Sequence, residues 1–247
     1  MEDKFIEEFN KRKYRRNIYI FFKRIIDVLI ALVGLVVASP IMIVIAIAIK
    51  LDSKGPVLFK QIRTGKNGKN FKLYKFRTMA QDNDVHDFSK KDMHTKVGKF
   101  LRKTSLDELP QLINILKQEV SLIGPRPWIT DYYDNMNELQ RHRCDVLPGI
   151  TGLAQANGRN NLNIFDKINY DLEYVLNCSL FMDLKIVFLT VKAVFSQCGA
   201  DAGKGTISNE LEDLKNQHIV KEVKKVKRIV KNKKVTKKEE RIEEVVA

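Results

Sequence analysis

Apolar residues run without a charge from Val28 to Ile49, a length that meets the requirement for crossing a bilayer. Ser39-Pro40 falls in the middle of this run, where proline removes a backbone hydrogen bond and crowds the preceding turn. Both flanks are basic, with Lys11, Arg12, Lys13, Arg15, Arg16, Lys23 and Arg24 before and Lys50, Lys54, Lys60 and Arg63 after. Basic flanks favour the cytoplasmic side, so a simple span would have to export one of them. Two half-helices of about 18 Å each, bent at Ser39-Pro40, keep both flanks on one side. A kinked span stays open on pattern alone, since membrane helices tolerate proline.

After Gly55 the texture shortens. Val57–Ile62 and Phe71–Phe76 read as strands around the turn-forming Thr64-Gly65-Lys66-Asn67-Gly68, a hairpin. Residues 81–95 are polar without a period and read as a loop. Lys96–Lys103 reads as a basic amphipathic helix, and 124–160 is rich in Gly, Pro and Asn. Residues 164–177 and 180–196 read as two further helices. The second is apolar around most of its circumference and needs either burial or an interface.

Between these lies Ser105-Leu-Asp107-Glu108-Leu-Pro110, followed by Leu112, Ile113 and Leu116 at helical spacing. Ser105 and Glu108 match a capping box, which predicts a helix starting at Ser105 with two acids in its first turn. Helix amides and neighbouring cations would hold Asp107 ionised. An ionised aspartate is a nucleophile, and its neighbour could hold a divalent cation. By itself the pattern is equally that of an ordinary helix cap.

Charge sharpens this reading. The 247 residues carry a formal charge of +14, which calls for an anionic partner: nucleic acid, membrane surface or phosphorylated substrate. Lys75 and Arg77 repeat on one face of a strand. Arg102 precedes the acidic pair, and Arg126 stands between two prolines, suited to a positioned guanidinium that grips phosphate. Cations interleaved with paired acids suit a polyanion together with a metal ion. No GxxxxGK[ST] or GxGxxG loop is present, and no recognition-helix or RNP-type motif supports a nucleic-acid partner. Cys144, Cys178 and Cys198 are odd in number and unpaired in spacing, as expected of free thiols, and His86 and His94 lack metal-motif spacing.

Six ordered blocks resemble the monotopic polyprenyl-phosphate phosphoglycosyl transferases, the bacterial sugar transferases that start surface-glycan assembly. The blocks are Lys23-Arg24-Ile-Ile-Asp27, Ser39-Pro40, Tyr74-Lys-Phe-Arg-Thr-Met79, Arg102-Lys-Thr-Ser-Leu-Asp107-Glu108-Leu-Pro-Gln111, Ser121-Leu-Ile-Gly-Pro-Arg126-Pro127 and Pro148 through Asn160. The resemblance implies an α+β enzyme at the cytoplasmic face of the bacterial plasma membrane. It would comprise a basic N-terminal segment (1–21), a re-entrant membrane helix hairpin broken at Ser39-Pro40 (22–54) and a small, mostly helical catalytic domain with a short β-hairpin and amphipathic interfacial helices (55–200). The implied partners are a UDP-sugar donor, a polyprenyl phosphate acceptor and membrane phospholipids. Asp107 would attack the β-phosphate and release UMP, and the acceptor would then take the phosphosugar from Asp107. Glu108 would be the ligand of Mg²⁺, and Lys75, Arg102 and Arg126 would lie at the phosphate site. Arg77, Gln155, Asn157, Arg159 and Asp171 are the remaining candidates for donor contact or scaffold.

The tail (201–247) lies outside the resemblance. Lys221–Lys238 holds ten cations and one acid, with Ile219, Val223, Val226 and Val230 spaced for one helix face. It reads either as a solvated disordered segment or as a helix on anionic lipid.

Overall fold

A computed structural model describes residues 2–80, 94–158, 161–195 and 207–216. Its organising element is a single helix, α2 (Lys13–Asp52), preceded by α1 (Glu2–Lys11). The segment expected as a plain basic N-terminus is therefore helical. Phe5 of α1 is buried, and Arg16 stacks its guanidinium 3.5 Å from the Phe9 ring centroid.

The break expected at Ser39-Pro40 does not interrupt the helix, which runs through Pro40. Pro40 has no N–H to give the carbonyl four residues back, that of Val36. The Ser39 hydroxyl donates to that same Val36 carbonyl at 2.8 Å, so the polar group freed by proline has a donor one residue away.

One stripe of α2 packs on the rest of the chain. Tyr19 and Ile20 lie against a core built from Ile164, Ile168, Val175 and Ile186. Ala31 joins a second core with Leu73, Ile115 and Val120, and Ile45 and Ile49 join a third with Phe76 and Leu101. The remaining circumference is apolar and uncovered, with Val37 74% and Val44 64% exposed.

The hairpin forms as expected: β1 (Leu58–Thr64) pairs antiparallel with β2 (Asn70–Phe76), from Leu58 opposite Phe76 to Thr64 opposite Asn70. Its turn places Asn67 (φ 56°) and Gly68 (φ 75°) in the left-handed region, which small polar residues and glycine enter at least cost. α3 (Lys96–Thr104) begins at Thr95, whose side chain accepts from the Gly98 amide at 3.0 Å. The loop expected over 81–95 lies almost wholly outside the described residues.

α4 (Gln111–Leu116) precedes β3 (Ser121–Ile123), which pairs in parallel with β4 (Gly149–Thr151), a pairing that local pattern did not suggest. Here backbones touch: a Cβ on Gly149 would lie 2.0 Å from the Gly124 nitrogen. Between the two strands run α5 (Thr130–Asp134) and α6 (Glu138–Arg141). After β4 come α7 (Leu153–Asn157), α8 (Ile164–Asn177) and α9 (Leu180–Phe195), the last two at the expected places. α9 keeps Ile186 fully buried but leaves Phe181 82% and Phe188 71% exposed.

Candidate active site

The acidic pair does not open a capped helix. Ser105 is left-handed (φ 59°) and closes α3, its amide bonding back to Leu101 and Arg102. Its side chain caps nothing, so the expected capping box is absent. Leu106-Asp107-Glu108 instead forms a single 3₁₀ turn ahead of α4, with Pro110 as the residue before the helix. Three residues per turn eclipse Leu106 and Leu109, and both pack into the core around Ile45 and Ile49. Asp107 and Glu108 are turned away from that anchor, so the two leucines fix the acids by packing against the far half of α2.

β2 supplies the first cation. Lys75 Nζ lies 2.6 Å from Glu108 Oε1 and 3.9 Å from Asp107 Oδ2. Its register over the turn is set by Asn114, which is fully buried. The Asn114 amide donates to the Lys72 carbonyl at 2.7 Å and to Glu119 Oε2 at 2.7 Å, and its oxygen accepts the Tyr74 amide at 3.0 Å. Sequence reasoning missed Asn114, although a polar residue among Leu112, Ile113, Ile115 and Leu116 was the signal.

The loop after β3 supplies the second cation. Arg126 Nη2 donates to Glu108 Oε1 at 3.1 Å. Two arginines that sequence reasoning did not assign hold its backbone: Arg143 donates to the Arg126 carbonyl at 2.8 Å and Arg63 to that of Pro127 at 3.4 Å. Arg143 also pairs through Nε (2.9 Å) and Nη2 (2.6 Å) with Asp171 Oδ2 and lies 3.7 Å from the Trp128 ring centroid.

The two carboxyls are tuned in opposite directions. Burial works to raise Glu108, but Arg126 and Lys75 outweigh it and hold the group at about 2, ionised throughout the physiological range. Burial raises Asp107 above the ordinary aspartate value, against the pull of Lys75 and with the push of neighbouring Glu108. The expectation that Asp107 is held low is thus corrected. The reason is that both close cationic contacts fall on Glu108, and Asp107 receives the longer approach of Lys75 and the more distant charges of Arg102 and Arg126, which burial outweighs.

The other candidates disperse. Arg77 lies one residue past the end of β2, its amide still bonded to the Val57 carbonyl at 2.9 Å, but its side chain does not join Lys75 at the acidic pair. It is buried and donates to the carbonyls of Lys54 and Ser53 (2.8 Å for Ser53), closing the end of α2. Arg102 contacts His94 Nε2 at 2.8 Å, and its charge reaches Asp107 from α3. Gln155 donates to the Ile150 carbonyl at 2.9 Å and Asn157 to that of Leu153 at 2.8 Å, both local backbone contacts. Asp171 serves Arg143, one step behind the Arg126 loop. Arg159 lies outside the described residues.

Residues 18–197 match the family model described as bacterial sugar transferase. The chain belongs to that family. Among its relatives is a UDP-glucose:undecaprenyl-phosphate glucose-1-phosphate transferase of Klebsiella pneumoniae, 47% identical over 184 residues, which cover 69% of this chain and 39% of the relative. A galactosyl transferase, CpsE, of Streptococcus agalactiae is 40% identical over 204 residues, 76% of this chain and 45% of the relative. A sugar transferase of Bacillus subtilis, EpsL, is 46% identical over 174 residues and is itself covered to 86%. The chain thus spans less than half the length of the first two sugar transferases and most of the third. All of the acidic turn, the hairpin and the Arg126 loop fall inside the family match.

Proposed function

We propose that this chain transfers a sugar-1-phosphate from a UDP-sugar to polyprenyl (undecaprenyl) phosphate through a phosphosugar ester on Asp107. The observation that carries the reading is the split pair: adjacent carboxyls in one rigid turn, one engaged by two cations and the other left for chemistry. Names of relatives supply the donor and acceptor classes.

In the first step an Asp107 carboxylate oxygen bonds to the β-phosphorus as the bond to the bridging oxygen breaks, and UMP leaves with that electron pair. In the second, a phosphate oxygen of the acceptor bonds to the same phosphorus and Asp107 departs as carboxylate, giving a polyprenyl-diphosphate sugar. Lys75 and Arg126 would lie along the diphosphate and offset the charge gathering on UMP. Asp107 must be ionised to attack, and the cations that approach the turn keep burial from neutralising it. Among the described residues Glu108 and Asp107 offer two carboxylates and no third, which fits Mg²⁺, an ion commonly held by one or two carboxylates plus substrate phosphates. Glu108 would hold it, both protein cations being on Oε1; when bound it would supply further positive charge at the diphosphate.

A monotopic seat at the cytoplasmic face is part of the proposal. Ala31 and Ile45 both pack on the catalytic domain, and the fourteen helical steps from one to the other advance about 21 Å, less than the ~30 Å of hydrocarbon a span must cross. The uncovered apolar faces of α2 and α9 suit a lipid leaflet, bringing the acidic turn near the acceptor's headgroup.

The experiment is UMP release from a panel of UDP-sugars with Mg²⁺ and polyprenyl phosphate, combined with mass analysis of the donor-treated enzyme. A phosphosugar adduct on Asp107, absent in Asp107→Asn, is expected. Turnover that persists in Asp107→Asn at the wild-type rate overturns the covalent step.

A further inference from the structure

Residues 207–216 form a helix that lies beyond the family match, yet it is docked on the catalytic domain. Its inward positions, Glu210, Leu211 and Leu214, share one helix face. Leu214 is 1% exposed and Leu211 packs beside it, both in the core that contains Tyr132, Ile164 and Ile168.

Glu210 spends both oxygens on different elements. Oε2 accepts from the Tyr132 hydroxyl of α5 at 2.8 Å, and Oε1 pairs with Lys167 Nζ of α8 at 2.6 Å. Tyr132 packs its ring 5.0 Å from that of Trp128, which lies under the Arg143 guanidinium. Arg143 holds the Arg126 carbonyl and pairs with Asp171, which returns the path to α8 four residues from Lys167. The contacts therefore close into a circuit around the segment that carries Arg126, and the C-terminal helix is one of its sides. Removing any side frees α5 and the loop to shift together against α8.

We infer that residues 207–216 act as a brace that sets the placement of Arg126, with Glu210 and Tyr132 as positioning residues for the donor's diphosphate. This rests on the reading of Arg126 as a diphosphate contact. The Tyr132 hydroxyl, itself on a buried ring, donates to a half-buried, charged acceptor, so losing the bond loosens the loop more than a fully exposed hydrogen bond would. Because Arg126 meets the donor's diphosphate and faces the charge gathering on UMP, while Asp107 is held by a separate core, the effect falls on kcat/KM for the donor.

The test uses the full chain in lipid nanodiscs, comparing wild type, Tyr132→Phe and Glu210→Gln. Tyr132→Phe removes one oxygen from an otherwise intact core. A fall in donor kcat/KM of about three- to tenfold is expected, the range of one hydrogen bond. Hydrogen exchange at residues 124–128 should quicken while α8 amides keep their protection. Glu210→Gln keeps an acceptor for Tyr132 and should show the smaller change. A lowered melting temperature with unchanged donor kcat/KM and unchanged exchange at 124–128 overturns the inference and leaves the helix as added stability only. If wild type turns over no UDP-sugar, that failure belongs to the proposed reaction, and the exchange pattern still decides the brace.

Discussion

Asp171→Asn separates a substrate contact from a buried support. Asp171 is 1% exposed and Arg143 3%, and a single oxygen of Asp171 receives both Arg143 bonds, at 2.9 and 2.6 Å. Asparagine is nearly the same size but neutral, so the substitution leaves a guanidinium buried without its counter-charge. Removing one partner of such a pair costs about 3–5 kcal/mol, a large share of the ~5–15 kcal/mol that holds a domain together. For a chain of this size that is a fall of roughly 6–20 °C in the unfolding midpoint. Trp128 is the only tryptophan in the chain and stacks on Arg143, so its fluorescence reports this spot directly. Thermal unfolding followed at Trp128 should show the loss. An Arg143→Met/Asp171→Leu double variant should recover most of it, because apolar replacement of both charges removes the uncompensated one. The double variant should still bind donor poorly, since the bond to the Arg126 carbonyl is gone. Asp171→Asn with an unchanged midpoint, unchanged Trp128 emission and a raised donor KM would refute the reasoning and return Asp171 to the substrate.

Lys75→Met should move the acid limb of kcat/KM to higher pH. The attacking group must be ionised, burial already raises Asp107, and the variant removes the cation 3.9 Å away whose attraction draws that value down, so the group titrates higher still. An unmoved limb in UMP-release profiles would deny that Lys75 sets the charge of Asp107. Gly149→Ala should abolish folded protein on size exclusion, because its methyl would meet the Gly124 nitrogen at 2.0 Å and the Thr151 oxygen at 2.5 Å, both backbone. Gly34→Ala should be tolerated or slightly stabilising, since its methyl meets only Leu112 at 3.5 Å and alanine favours a helix. Ser39→Ala should lower thermal stability in nanodiscs by about 1 kcal/mol by stripping the Val36 carbonyl of its donor. A Ser39→Ala/Pro40→Ala double variant should regain it through the restored backbone N–H, and no gain over the single variant would count against that account.

Patterning along the chain was sufficient for elements whose signal is local. The hairpin, α3, α8 and α9 follow from side-chain period and turn residues, and these the structure reproduces within a residue or two, whereas the long apolar helix starts at Lys13 and runs unbroken through Pro40. The candidate site was legible in the same way, because Lys75, Asp107, Glu108 and Arg126, which the structure brings together, stand in short blocks with distinctive neighbours. Reading Ser105 as a helix cap failed because the motif S-x-x-E is compatible with two backbones. The packing of Leu106 and Leu109 into one core selects the 3₁₀ turn.

What only tertiary structure decided is how charge is shared among groups far apart in sequence. That Lys75 and Arg126 both fall on Glu108, leaving Asp107 raised, depends on Asn114 fixing the register of β2 and on Arg143 holding the Arg126 loop. Arg77 and Asp171 look like their functional neighbours in sequence, yet one closes α2 and the other supports Arg143. A residue type sets which bonds a side chain can make. Which bond it does make is set by the partner that folding brings within about 3 Å, and for these residues that partner lies dozens of positions away.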